Sequence, residues 1–226
     1  MQWNKTLGSI TCYVIQANDG NYVLAGSKEN NNNGHNALPA KIDQSGNLLW
    51  NNTFSEPSIQ WIEIDALTET NDKGYAIAGS WNSTSWFAKT DSSGNMKWNR
   101  TYNLANWDNS LDAIAETNDG GYILGGFDQN GAWLVKTDSL GNLQWSRSYP
   151  GEGTFSSVAQ TPDGGYVGAG DTKIVKTDGS GNFQWNTTGK INGTPWAVTV
   201  TDDGGYAVTG FTSTSSDIKQ SIWLAK

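Results

Sequence analysis

"GGYILGGFDQNGAWLVKTDSLGNLQW", residues 120–145, holds two glycine-rich turns, three short apolar runs and two tryptophans. The same words return as "KGYAIAGSWNSTSWFAKTDSSGNMKW" at 73–98 and as "GGYVGAGDTKIVKTDGSGNFQW" at 164–185. A functional site rarely needs near-copies of itself, whereas a repeat architecture is made of them. The stretch is therefore read as a building unit.

Five turns align along the chain: "NDGNY" (18–22), "NDKGY" (71–75), "NDGGY" (118–122), "PDGGY" (162–166) and "DDGGY" (202–206). Each lies between two short runs of alternating apolar residues, and Asp-Gly in that setting is a strong hairpin signal because glycine takes positive φ at no steric cost. A third run ends at Lys41, Lys89, Lys136, Lys176 or Lys226. After the first four of these lysines comes a second tight turn of the type "DSLGN", then a run carrying Trp50, Trp98, Trp145 or Trp185. The unit is thus four antiparallel strands in about 45 residues, the size of a propeller blade.

The fifth copy stops at Lys226, and its missing tryptophan run stands at the other terminus as "QWNKT" with Trp3. This permutation predicts an all-β, five-bladed β-propeller in one domain over residues 1–226, its ring closed when residues 2–6 complete the fifth blade. Closure removes the open edges that invite aggregation.

In order and spacing, the unit "KTDSLGNLQW" resembles the tryptophan-docking motif of quinoprotein (PQQ-like) propellers. The paired "DGGY" and K-D-x-x-G-N-x-x-W words resemble repeats of prokaryotic cell-surface proteins. The resemblance covers nearly the whole chain and implies blade construction and an extracellular or cell-surface setting. It does not imply quinone chemistry, because the cofactor and calcium residues of quinoprotein dehydrogenases are not found.

Bulk properties exclude several functions. A net charge of -8 argues against nucleic acid and anionic membranes as partners. No apolar run approaches the roughly 18 residues of a membrane span. One cysteine, Cys12, and one histidine, His35, cannot build a thiolate cluster or a multi-histidine metal site. The turn aspartates Asp43, Asp91, Asp138 and Asp178 lack the spaced carboxylates of a calcium loop and are read as metal-free turns. No cofactor is expected, and a monomer is. The five repeat lysines are read as stems over apolar surface with amines in water. His35, beside the Asn30–Asn33 run, is read as solvated. Six Asn-x-Ser/Thr sequons start at Asn4, Asn51, Asn82, Asn99, Asn186 and Asn192. Composition alone gives roughly four or five, so their number leaves glycosylation open.

Candidate site residues are those that break the repeat. Of the 12 tryptophans, five hold the outer-strand position and Trp86, Trp133 and Trp223 stand three residues before a repeat lysine. The other four, Trp61, Trp81, Trp107 and Trp196, fall in or beside connections that vary between copies. Variable connections on a repeat scaffold are where recognition is built. Ten residues before each hairpin tyrosine stand Cys12, Asp65, Asp112, Ser156 and Trp196, expected to ring the entrance of the central channel, and Asp65 and Asp112 join the four tryptophans as expected ligand-binding residues. The expected function is a non-catalytic recognition or scaffold module with a carbohydrate or protein ligand on the variable-loop face. The alternatives are a purely structural or protein-binding propeller, and a glycoside hydrolase using Asp65 and Asp112 as its carboxylate pair.

Overall fold

The computed structural model describes residues 11–30, 34–55, 61–102, 109–151, 153–171, 173–187, 193–214 and 217–225. The first sheet is β1 (Thr11–Gln16), β2 (Tyr22–Glu29), β3 (His35–Ile42) and β4 (Leu48–Asn51). The second is β5 (Ile62–Glu69), β6 (Tyr75–Trp81), β7 (Thr84–Thr90) and β8 (Met96–Tyr102). In the third, β9 (Ser110–Glu116), β10 (Tyr122–Asp128), β11 (Gly131–Thr137) and β12 (Leu143–Pro150) follow the same order. β13 (Ser157–Gln160), β14 (Tyr166–Gly170), β15 (Lys173–Thr177) and β16 (Phe183–Asn186) make the fourth. Among the described residues the fifth has three strands, β17 (Thr194–Val200), β18 (Tyr206–Thr214) and β19 (Asp217–Ala225). Every sheet runs in sequence order, one per repeat. Residues 2–6, expected to complete the fifth sheet, lie outside the described residues.

The chain divides into two compact units, Met1–Leu111 and Asp112–Lys226. The first is cored by Phe54, Ile62, Ile64, Ile77 and Trp86, the second by Ile123, Leu134, Tyr149, Phe155 and Val175.

The repeated words now have physical reasons. In the β9–β10 turn, Gly120 takes φ 76° and closes a hydrogen bond from its N–H to the Thr117 carbonyl at 2.8 Å. At Gly121 an added Cβ would stand 2.1 Å from the Thr137 carbonyl oxygen and 2.7 Å from the Lys136 amine, so only glycine fits. In the β11–β12 turn, Asp138 is capped from within. The N–H groups of Leu140 and Asn142 donate to Oδ1 at 2.9 and 2.8 Å, and the Asn142 amide donates to Oδ2 at 2.8 Å. Asp43, Asp91 and Asp178 repeat the pattern. Both carboxylate oxygens are thus occupied by N–H donors, which a cation would have to displace. A chelator is therefore expected to leave the melting temperature unchanged, whereas a drop of several degrees would reveal a native-state metal.

One expectation is corrected. The lysine amines are not in water: Lys41, Lys89, Lys136 and Lys176 are all buried. Each ion-pairs with the aspartate of its own repeat's hairpin word, Asp19, Asp72, Asp119 or Asp163, at 2.6–2.9 Å. Lys89, Lys136 and Lys176 also donate to the carbonyl of the next threonine at 2.8 Å. Burial of an ammonium is tolerated because its charge is matched and its protons are used.

The pairing has a pH signature. Burial works to raise the Asp119 pKa, but hydrogen bonds from Thr117, Lys136 and the Gly121 N–H outweigh it and hold the group at about 2. The Thr161 and Lys176 hydrogen bonds likewise lower Asp163, and Lys41 lowers Asp19. An unfolded aspartate titrates at about 3.9, so the unfolded chain takes up protons first on acidification. The stabilisation is complete above about pH 4 and is lost as the pH falls toward 2. Melting temperature is expected to be flat from pH 7 to 5 and to fall steeply below about 4. A profile still flat at pH 3 would contradict the pairing.

Candidate functional site

At two of the five positions ten residues before a hairpin tyrosine, the ladder carries a bulge. In β5 the ladder pairs Ile64 with Gly79 and Ala66 with Ala78, leaving Asp65 as the extra residue. In β17 it pairs Pro195 with Gly210 and Ala197 with Thr209, leaving Trp196 as the extra one. A bulge bends its strand and re-aims the unpaired side chain. Cys12 shows the regular alternative, pairing with Gly26 in an unbroken ladder.

The carboxylates are held by hydroxyls from the start of the following repeat. Within the first unit, Ser110 Oγ donates to Asp65 Oδ2 at 3.3 Å. Within the second, Thr154 Oγ1 donates to Asp112 Oδ2 at 2.7 Å, while the Thr154 N–H donates to Asp171 Oδ2 at 3.0 Å. Asp171 takes φ 40°, in the left-handed region that aspartate enters more readily than most non-glycine residues. Ser156 Oγ donates to the Trp196 carbonyl at 3.0 Å. Asp65 and Asp112 belong to different units.

The four repeat-breaking tryptophans separate. Trp61 stands immediately before β5 and is 45% exposed. Its N–H donates to Asn82 Oδ1 at 3.0 Å, its carbonyl accepts from the Asn82 N–H at 2.9 Å, and the His35 ring meets its indole edge-on at 4.2 Å. Trp196 is 62% exposed, with Phe211 at 5.6 Å as its aromatic neighbour. Trp81 ends β6 half-buried against Trp86 at 5.9 Å. Trp107 lies outside the described residues. His35 is therefore not simply solvated: it supports Trp61. Its sequence neighbours are Gly34 and asparagines, and no local pattern ties it to a tryptophan 26 residues later.

Among the described residues, no group of three or more His, Cys, Asp and Glu side chains is arranged to hold a metal ion. No helix is long and apolar enough to cross a membrane among the same residues.

No protein-family signature matches the chain, and no curated protein sequence does. Solved structures do. Catalytically inactive virginiamycin B lyase from Staphylococcus aureus with quinupristin aligns at TM-score 0.67 and 16% identity over 98% of this chain and 72% of that one. The WD40 β-propeller domain of Doa1 aligns at 0.59 and 14% over 84% of this chain and 57% of that one. Chaetomium thermophilum Sqt1, bound to the N-terminus of a ribosomal protein, aligns at 0.60 and 13% over 87% and 55%. At these identities the likeness establishes the fold alone: these sheets are the blades of a β-propeller.

Proposed function

We propose that the chain is a non-catalytic recognition propeller of five blades. It forms one domain, its ring closed by residues 2–6, and acts at a cell surface or outside the cell. Support for closure comes from the fifth sheet, which among the described residues has three strands where the others have four. Support for PQQ-like blade docking comes from Trp50, whose ring lies against Gly94 of the next repeat, and from Trp145 against Gly181. The extracellular setting rests on the resemblance of the repeats.

The observation that carries the recognition reading is the exposure of Trp61 and Trp196 at positions where the repeat breaks. Both are large aromatic surfaces with polar backbone or side-chain groups beside them, which suits stacking on a sugar ring. Carbohydrate is the ligand class this favours. A protein ligand is the second reading, favoured by the likeness to Sqt1, whose structure holds a ribosomal protein segment.

A glycan array on the purified chain, followed by fluorescence titration, tests the proposal. Trp61→Ala and Trp196→Ala are expected to cost under about 1 kcal/mol of stability yet abolish most of the ligand response. Destabilised variants with no glycan binding anywhere on the array would leave the scaffold reading.

A further inference from the structure

The sequons, uninformative as a count, are ordered in the fold. Each repeat tryptophan pairs across its outer ladder with the repeat lysine: Trp50 with Lys41, Trp98 with Lys89, Trp145 with Lys136 and Trp185 with Lys176. The next residue is Asn51, Asn99, Ser146 or Asn186, paired in the same register with Ala40, Ala88, Val135 or Val175. Three of these four positions are therefore sequon asparagines, and Asn4 follows Trp3 in the same word outside the described residues. Recurrence at one register position follows from the repeat itself, so what bears on modification is where that position points.

That position is on the outermost strand, whose other edge carries no partner in its sheet. In β8 burial alternates, with Lys97, Asn99 and Thr101 exposed and Met96, Trp98 and Arg100 turned inward. Because strand side chains repeat every two residues, Asn-x-Thr sets the acceptor amide and its hydroxyl side by side on the outer face. Asn51 and Thr53 are both exposed as well. The amide of Asn99 reaches the Met96 sulfur at 3.2 Å, and among the described residues that of Asn51 holds no hydrogen bond. Nor does the blade itself require asparagine here: the third has Ser146, and Ser148 bonds Asp128 instead.

We propose that the outer-strand sequons at Asn51 and Asn99 are N-glycosylation sites. The donor is an oligosaccharide on a lipid diphosphate. The bond between its anomeric carbon and the diphosphate oxygen breaks, a bond from that carbon to the asparagine Nδ2 forms, one amide proton leaves, and the lipid diphosphate departs with the electron pair. A bulky hydrophilic chain on each outer strand covers an edge that would otherwise be open to pairing with another molecule. The inference rests on the proposed extracellular setting, and the test keeps the two apart by imposing export.

The full chain is expressed behind a cleavable leader in a secretory host with N-glycosylation machinery, and the folded product is mapped peptide by peptide. Glycan is expected at Asn51 and Asn99 in most molecules, and Asn51→Gln and Asn99→Gln are each expected to remove one glycan. A folded, secreted product unmodified at both Asn51 and Asn99 overturns the proposal. So does glycan found only on misfolded, retained chain, with the Asn51→Gln/Asn99→Gln variant secreted normally. Native location is read separately, by fractionation of the source cells, so an intracellular result would strike the setting without altering the acceptor chemistry.

Discussion

Asp119→Ala is expected to lower stability by about 2–3 kcal/mol, although the aspartate side chain it removes is 54% exposed. The reason lies on the other side of the pair. The Lys136 side chain is 3% exposed, and its ammonium donates to both Asp119 oxygens, at 3.1 and 2.9 Å, and to the Thr137 carbonyl. Without the carboxylate a buried cation keeps one neutral acceptor. Breaking a fully buried pair costs about 3–5 kcal/mol, and the half-hydrated aspartate brings the figure down. For a chain of this length the loss corresponds to about 5–10 °C in melting temperature. The reverse change is unequal: Lys136→Met removes the buried charge, and Asp119 simply hydrates. The double variant is therefore expected to recover most of the loss seen in Asp119→Ala alone. Equal, additive losses from the two single changes would mean that the pair contributes nothing as a pair.

This pair also marks the limit of what the sequence disclosed. The hairpins were legible because Asp-Gly and Asp-x-x-Gly-Asn impose their turns locally, whatever surrounds them. Asp119 and Lys136 meet only because the β10–β11 register pairs Tyr122 with Thr137, returning the end of β11 to the turn. Solvated lysine is the ordinary expectation for a charged residue. The contrary signal was the joint recurrence of aspartate and lysine in every repeat. The bulges at Asp65 and Trp196 were less accessible still. A bulge adds one residue to a strand without a compositional mark, so the shared count to the hairpin tyrosine located the position but not its geometry. The sequon register was hidden for another reason, since counting motifs discards the phase that the outer ladder restores.

The contact with the largest expected cost joins neighbouring blades in the second unit. Trp145 lies 5.6 Å from the Tyr166 ring, and its six-membered ring occupies the space beside Gly181, within 2.7–2.9 Å of where a Cβ would stand. Tyr149 closes the same contact, its hydroxyl donating to the Gly181 carbonyl at 2.7 Å. Trp145→Ala is expected to cost about 3–4 kcal/mol, because a half-buried indole between two rigid strands leaves a cavity that neither can fill. Gly181→Ala attacks the contact from the other side: φ is 76°, and the added methyl displaces the indole. Both variants are expected to lower the urea midpoint with an unchanged slope. Combined, they are expected to cost clearly less than their sum, because each removes the same docking. The equivalent Trp185, 38% exposed, provides the comparison. It keeps a Tyr206 neighbour at 5.7 Å but buries less surface, so Trp185→Ala is expected to cost roughly half as much. A full-sized loss at Trp185 with none at Trp145 would show that docking strength does not follow burial, and that the outer tryptophans are held by something other than the neighbouring turn.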